Sequence, residues 1–222
     1  MLKKLTRISL TGLCYFAFFP CEAGELKFHI IDQKSKAVED AVVLATPLDA
    51  NRLKAIREIK AKDEIIDQID KEFVPFVKPV LVGSKVFFPN KDDVRHHVYS
   101  FSAAKTFELQ LYTGKTAPPV LLDKAGIVVL GCNIHDWMLS YVYVAETPYF
   151  AKSGKDGNAN LNDLPAGEYQ LKIWHPSMGM TSGENGAKVT IAENGAQKLD
   201  WSVTVKPITR IPRKTTNQDY SY

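Results

Sequence analysis

The chain has 222 residues, 45% of them hydrophobic and 24% charged, with a formal net charge of +3. That is the composition of a folded globular protein, and the charge is too small for a nucleic-acid binder. In chain order the first segment is a leader. Lys3, Lys4 and Arg7 precede an apolar run from Ile8 to Phe19, and Cys21-Glu22-Ala23 offers small residues where a signal peptidase reads. Residues 1–23 are therefore expected to be a cleaved signal peptide and the rest to be exported to the periplasm. Pro20 stands where a lipid-anchored Cys21 would want a small residue. Cleavage removes three basic residues and one acidic one, which takes the net charge from +3 to +1. It also leaves Cys132 as the single cysteine, so no internal disulfide is possible. A lone thiol in an exported protein is either inert core or holds something.

Gly24 to Pro47 reads as two strands, with Leu26, Phe28 and Ile30 alternating and a turn at Gln33-Lys34-Ser35-Lys36. Leu53, Ile56 and Ile59 recur at helical spacing, so residues 51–64 form a linker that is expected to be helical. From Ile65 to Ala145 the pattern is strand-rich. Val80, Val82, Val86 and Phe88 flank Gly83, Phe107, Leu109 and Leu111 alternate, and Tyr141 to Val144 is a further strand. Ile127 to Leu130 is a continuous apolar run, as for a strand buried on both faces. After Thr147, Tyr169, Leu171 and Ile173 mark a strand. Glu193-Asn194-Gly195 is expected to close a hairpin between Val189/Ile191 and Leu199/Trp201/Val203. Residues 207–222 are polar, without period, and read as a loose tail. The class is all-β, and no second apolar run reaches the ~20 residues of a membrane helix.

The densest chemistry is Gly131-Cys132-Asn133-Ile134-His135-Asp136-Trp137-Met138, a thiol, an imidazole and a thioether at C-x2-H-x2-M after a buried strand. A short loop turns all three toward one point. Sulfur with imidazole suits copper, and a second imidazole would complete a His2Cys plane with Met as a weak axial ligand. Phe88-Pro89-Asn90 leads through a polar loop to His96-His97. Neighbours in a strand face opposite ways, so one of the pair faces the ion unless the strand is bulged.

From about Ile65 to Ala145 the chain resembles cupredoxins of the plastocyanin and amicyanin kind. The likeness rests on Phe73-Val74-Pro75, on Val82-Gly83-Ser84-Lys85-Val86-Phe87-Phe88-Pro89-Asn90, on the Gly126-x5-Cys132 spacing and on Val142-x-Val144. The loop length is that of amicyanin. The resemblance implies a Greek-key β-sandwich, one copper cycling between Cu(I) and Cu(II), and His96, Cys132, His135 and Met138 as its ligands. His97 stands where these families carry Asn, whose amide ties the ligand loops together; an imidazole there offers a similar hydrogen bond. The flanks, Asp32 to Pro47 and then Asp156-Gly157 and Leu164-Pro165-Ala166-Gly167-Glu168-Tyr169, resemble a carboxypeptidase-regulatory-like β-sandwich. That likeness implies a smaller, discontinuous sandwich over 24–50 and 147–206 with the copper domain, 65–146, inserted in it. The pairing is similar to methylamine-utilisation-type plastocyanin-like proteins, although no residue here points to methylamine.

The expected function is electron transfer with transient redox partner proteins, without enzymatic chemistry. The rival is copper delivery, with copper as cargo, for which His175, Met178 and Met180 would form a second weak Cu(I) site; their plainer reading is a turn between strands. A Cys–His nucleophile lacks an orienting third group, and zinc disfavours Met. Trp174 and Trp201 read as core, His29 as an ordinary strand residue, and Trp137 as shielding the ion or touching a partner.

Overall fold

The computed structural model describes residues 23–114, 118–179 and 183–206. The leader, Met180 and the tail lie outside them. Strand β1 (Gly24–Asp32) and strand β2 (Val42–Pro47) are followed by helix α1 (Ala50–Arg57). Asp49 starts that helix. Its backbone is extended and its carboxylate accepts the Arg52 N–H at 2.8 Å, so a free donor of the first turn is capped. The helix is shorter than its apolar spacing predicts, because only Ile56 is buried.

Next come β3 (Glu64–Ile65), β4 (Asp67–Ile69), β5 (Glu72–Val74), β6 (Val77–Leu81), β7 (Ser84–Phe87), β8 (His96–Ser102), β9 (Lys105–Tyr112), β10 (Val120–Leu122), β11 (Gly126–Gly131) and β12 (Leu139–Ala145). The chain then continues through β13 (Phe150–Lys152), β14 (Asn158–Leu164), β15 (Gly167–Trp174), β16 (Glu184–Ile191) and β17 (Ala196–Val203).

Four sheets carry the fold. A three-stranded sheet β14-β1-β17 faces a four-stranded sheet β13-β2-β15-β16. Phe28, Ile30, Val43, Tyr169, Leu171 and Ile173 fill the core between them. A five-stranded sheet β6-β12-β11-β8-β9 faces the three-stranded sheet β10-β7-β3. Val80, Val86, Phe88, Val98, Val128, Leu130 and Val142 fill this second core. A third cluster lies at the seam. Val42, Leu44 and Trp174 of the four-stranded sheet pack on Val77, Ile127, Tyr143 and Ala145 of the five-stranded one. Side chains alternate between faces of a strand, so β2 and β11 each send one face to a core and the other to the seam. The continuous apolar reading of Ile127 to Leu130 has this cause.

The hairpin expected at Glu193-Asn194-Gly195 does not form. β16 pairs with β15, whereas β17 runs parallel to β1 in the opposite sheet. The turn crosses between layers, and Trp201 packs on Phe28 in the core beneath. Core burial, rather than the short connection, decides the partner. Gly167 opens β15 at φ 150°, and a Cβ there would lie 2.5 Å from the Arg52 guanidinium. That guanidinium donates to the Ala166 carbonyl at 2.6 Å, so the glycine is the seat on which α1 docks. No helix among the described residues is long and apolar enough to cross a membrane.

Candidate metal centre

β11 lies between β12 and β8. Gly131 at its end pairs with Leu139 on one side and Tyr99 on the other. The Tyr99 ring covers Gly131 so closely that a Cβ would sit 2.7 Å from it. Cys132, the next residue, is thereby delivered beside the first residue of β8, His96. The loop then turns at once: the Met138 N–H donates to the His135 carbonyl at 2.9 Å, closing the turn before β12.

His96, Cys132 and His135 meet in space, their donor atoms all within 4.8 Å of one another. His96 Nδ1 and His135 Nδ1 face each other at 3.2 Å, and Cys132 Sγ lies 3.8 Å from His135 Nδ1. His96 and Cys132 are 0% and 3% exposed. Met138, at 1%, belongs to the same core cluster as Cys132. The far nitrogen of His96, Nε2, is 2.7 Å from Asp92 Oδ2. A carboxylate only accepts, so Nε2 carries a proton and Nδ1 is the nitrogen that faces the other donors. Metal-bound histidines are oriented by such a partner.

The electrostatics favour a thiolate. Burial pushes the Cys132 thiol up, but hydrogen bonds from His96 and from the backbone N–H groups of His97, Ile134 and His135 outweigh it and hold it below its ordinary value. Burial depresses His96, yet Cys132 and Asp92 together raise it above its ordinary value. For Asp92, burial is again the largest influence, and the Lys71 N–H, His96 and the Asp70 N–H reverse it, so the carboxyl lies low. A proton is thus held among these groups, and a metal ion would displace it.

His97 departs from the expectation for its ring. The β8–β9 ladder slips between His96 and Val98, and the His97 ring turns to Glu108 of β9, with Nε2 2.8 Å from Oε1. Its Nδ1 is buried without a hydrogen-bond partner. Only its backbone N–H reaches the Cys132 sulfur. Trp137, 40% exposed, stands over the loop with its ring 5.2 Å from that of His135. His175 is built differently. Its Nδ1 accepts the Ser177 N–H at 3.2 Å and lies 2.8 Å from the Ser177 hydroxyl, while the ring also bonds the backbone of Glu39. Met178 packs on the core of the other sandwich. Asp92 and the turn at Asp70-Lys71 escaped sequence reasoning. An acid four residues before His96 was the available signal, and it looked like one more charge in a polar loop.

No protein-family model matches this chain, and no curated protein matches it. Solved structures do. A Cu(I) amicyanin variant is similar at 19% identity over 37% of this chain and 82% of that one, with a TM-score of 0.34. A purple cupredoxin from Nitrosopumilus maritimus is similar at 22% identity over 37% and 99%, with a TM-score of 0.31. A pseudoazurin from Sinorhizobium meliltoi is similar at 20% identity over 39% and 76%, with a TM-score of 0.30.

Proposed function

We propose that this chain is an exported, periplasmic copper protein that passes single electrons, and that His96, Cys132, His135 and Met138 would hold its one ion. The observation that carries the reading is the convergence of two imidazole nitrogens and one thiol within 4.8 Å, with His96 and Cys132 buried and His135 half-buried. The donor set fits copper: soft sulfur and imidazole suit it, and two His with one Cys is the plane of blue-copper sites. Copper, when bound, supplies the one-electron couple between Cu(I) and Cu(II).

The chain's own residues supply geometry. His96 begins a strand, and Cys132 follows directly on another that is hydrogen-bonded to it. Donors fixed to a sheet move little between oxidation states, so little has to rearrange when an electron passes. Backbone N–H groups at the sulfur favour the thiolate that a metal needs. His135 and the half-exposed Trp137 lie toward solvent and form the face a redox partner would meet. Such encounters bury less than about 1,200 Å². Delivery of copper as cargo would draw on His175, whose ring bonds Ser177 and the backbone of Glu39, and on Met178 and Met180, the last of which lies outside the described residues.

The test is spectroscopy of the copper-reconstituted chain. Intense visible absorption, bleached by a reductant and abolished in Cys132→Ser, is the expected result. A colourless copper-loaded protein, or a coloured Cys132→Ser variant, overturns the reading.

A further inference from the structure

β4 and β5 form a two-residue hairpin whose turn residues, Asp70 and Lys71, both have positive φ, 57° and 60°. That is the type I′ geometry matched to strand twist, built here without the usual glycine. The tip lies against the metal centre. The Asp70 N–H donates to Asp92 Oδ1 at 2.6 Å and the Lys71 N–H to Asp92 Oδ2 at 2.8 Å. The same Asp92 Oδ2 holds His96 Nε2. On its other side the Lys71 carbonyl accepts the Trp137 indole N–H at 3.0 Å. One residue's peptide groups therefore join the arm that bears His96 to the loop that bears Cys132 and His135.

The hairpin is itself anchored. The Gln68 N–H donates to the Pro89 carbonyl at 3.0 Å, and the Lys91 N–H donates back to the Gln68 carbonyl at 2.9 Å. The buried Gln68 amide donates to the Phe88 carbonyl and to Tyr112 Oη at 3.0 and 2.7 Å. Phe73 is buried in the core beneath. The tip cannot swing away without breaking these bonds.

We propose that the Asp70–Lys71 turn is a clasp that tethers both ligand-bearing arms, through Asp92 on one side and Trp137 on the other, so that bound copper leaves slowly. The proposal rests on the copper reading above and adds retention to it. Asp92 and Trp137 are positioning residues. Without the clasp, His96 could rotate and the ligand loop could lift, and each opening exposes the ion to exchange.

The experiment compares the full chain with Asp92→Asn and Trp137→Phe. Asparagine keeps the shape but has one acceptor oxygen in place of two. Phenylalanine keeps an aromatic face over the loop but lacks the indole N–H and its five-membered ring, at a position that is 40% exposed. The first readout is the rate at which a Cu(I) chelator strips reduced, copper-loaded protein. Partners in this position are worth about 10–100-fold in metal affinity. Asp92→Asn is expected to release copper faster by about that factor, and Trp137→Phe by less. The second readout needs no copper: protection from hydrogen exchange of the Asp70 and Lys71 amides in the apo-protein, expected to drop in Asp92→Asn. If both variants release copper at the wild-type rate, the clasp is wrong and the copper reading stands. If the wild type takes up copper without intense visible absorption, the copper reading falls. Unprotected Asp70 and Lys71 amides in the wild type overturn the clasp whatever copper does.

Discussion

The two sandwiches each contain a short loop with the same pattern: His135-Asp136-Trp137-Met138 in one and His175-Pro176-Ser177-Met178 in the other. Both close the same local turn, with the Met138 N–H on the His135 carbonyl at 2.9 Å and the Met178 N–H on the His175 carbonyl at 2.8 Å. Their chemistry differs entirely. The His175 ring is consumed by Ser177 and the backbone of Glu39, and burial, the largest influence, holds it below its ordinary value. The His135 ring points Nδ1 at His96 and Cys132. A histidine three residues before a methionine therefore says little. What the neighbouring strands bring to the imidazole decides whether it caps a turn or joins the His96 and Cys132 cluster.

The sharpest way to break this comparison is to remove one imidazole from each loop system. His135→Ala should abolish the visible band and weaken copper binding by more than the roughly 10–100-fold typical of a supporting residue. His175→Ala should leave copper stoichiometry at one ion per chain and the spectrum unchanged. Metal analysis with a visible titration checks both, and loss of copper from His175→Ala would erase the contrast.

A smaller effect tests how the sandwiches are joined. Trp174 is 0% exposed and lies at the seam, its ring 5.5 Å from Tyr143 and 5.9 Å from Tyr141. Trp174→Ala should cost about 3–5 kcal/mol in denaturant unfolding, as for other buried aromatics. The copper spectrum should be unaltered, because the seam lies on the face of the sheet opposite the metal-side core. A changed spectrum would mean that the seam shapes the centre.

The smallest effect is a slope. His175 in the folded chain stays below its ordinary value of 6.5, so the unfolded chain binds the proton first. Stability must then fall as pH drops below about 6.5, until the depressed folded value is reached, and below that His175 adds nothing more. His175→Gln should flatten that part of the stability–pH curve without moving its neutral-pH plateau by as much as Trp174→Ala does. An unchanged acid slope would place the loss elsewhere.

Much of this was legible in the chain. Strand alternation marked β1, β9 and β15, the apolar run marked β11, and the spacing of Cys132 and His135 after it pointed to one loop. The choice between His96 and His97 was not legible from alternation, since the ladder slips there and both rings are buried. Nor was the partner of β17. A turn such as Glu193-Asn194-Gly195 fits a hairpin and a crossing between sheets equally well, and only the core under Trp201 distinguishes them.

The sequence by itself determined which residue types stand next to which strands: an all-β chain with sulfur and imidazole donors gathered where strands end, because periodicity and short spacing are local properties. Only the tertiary structure decided what each donor meets. Asp92 reaches His96 and the Asp70–Lys71 turn, Trp137 reaches Lys71, and Trp174 reaches across the seam to Tyr143. Hydrogen bonds and packing act through space between segments that the chain keeps far apart, and no local pattern records them.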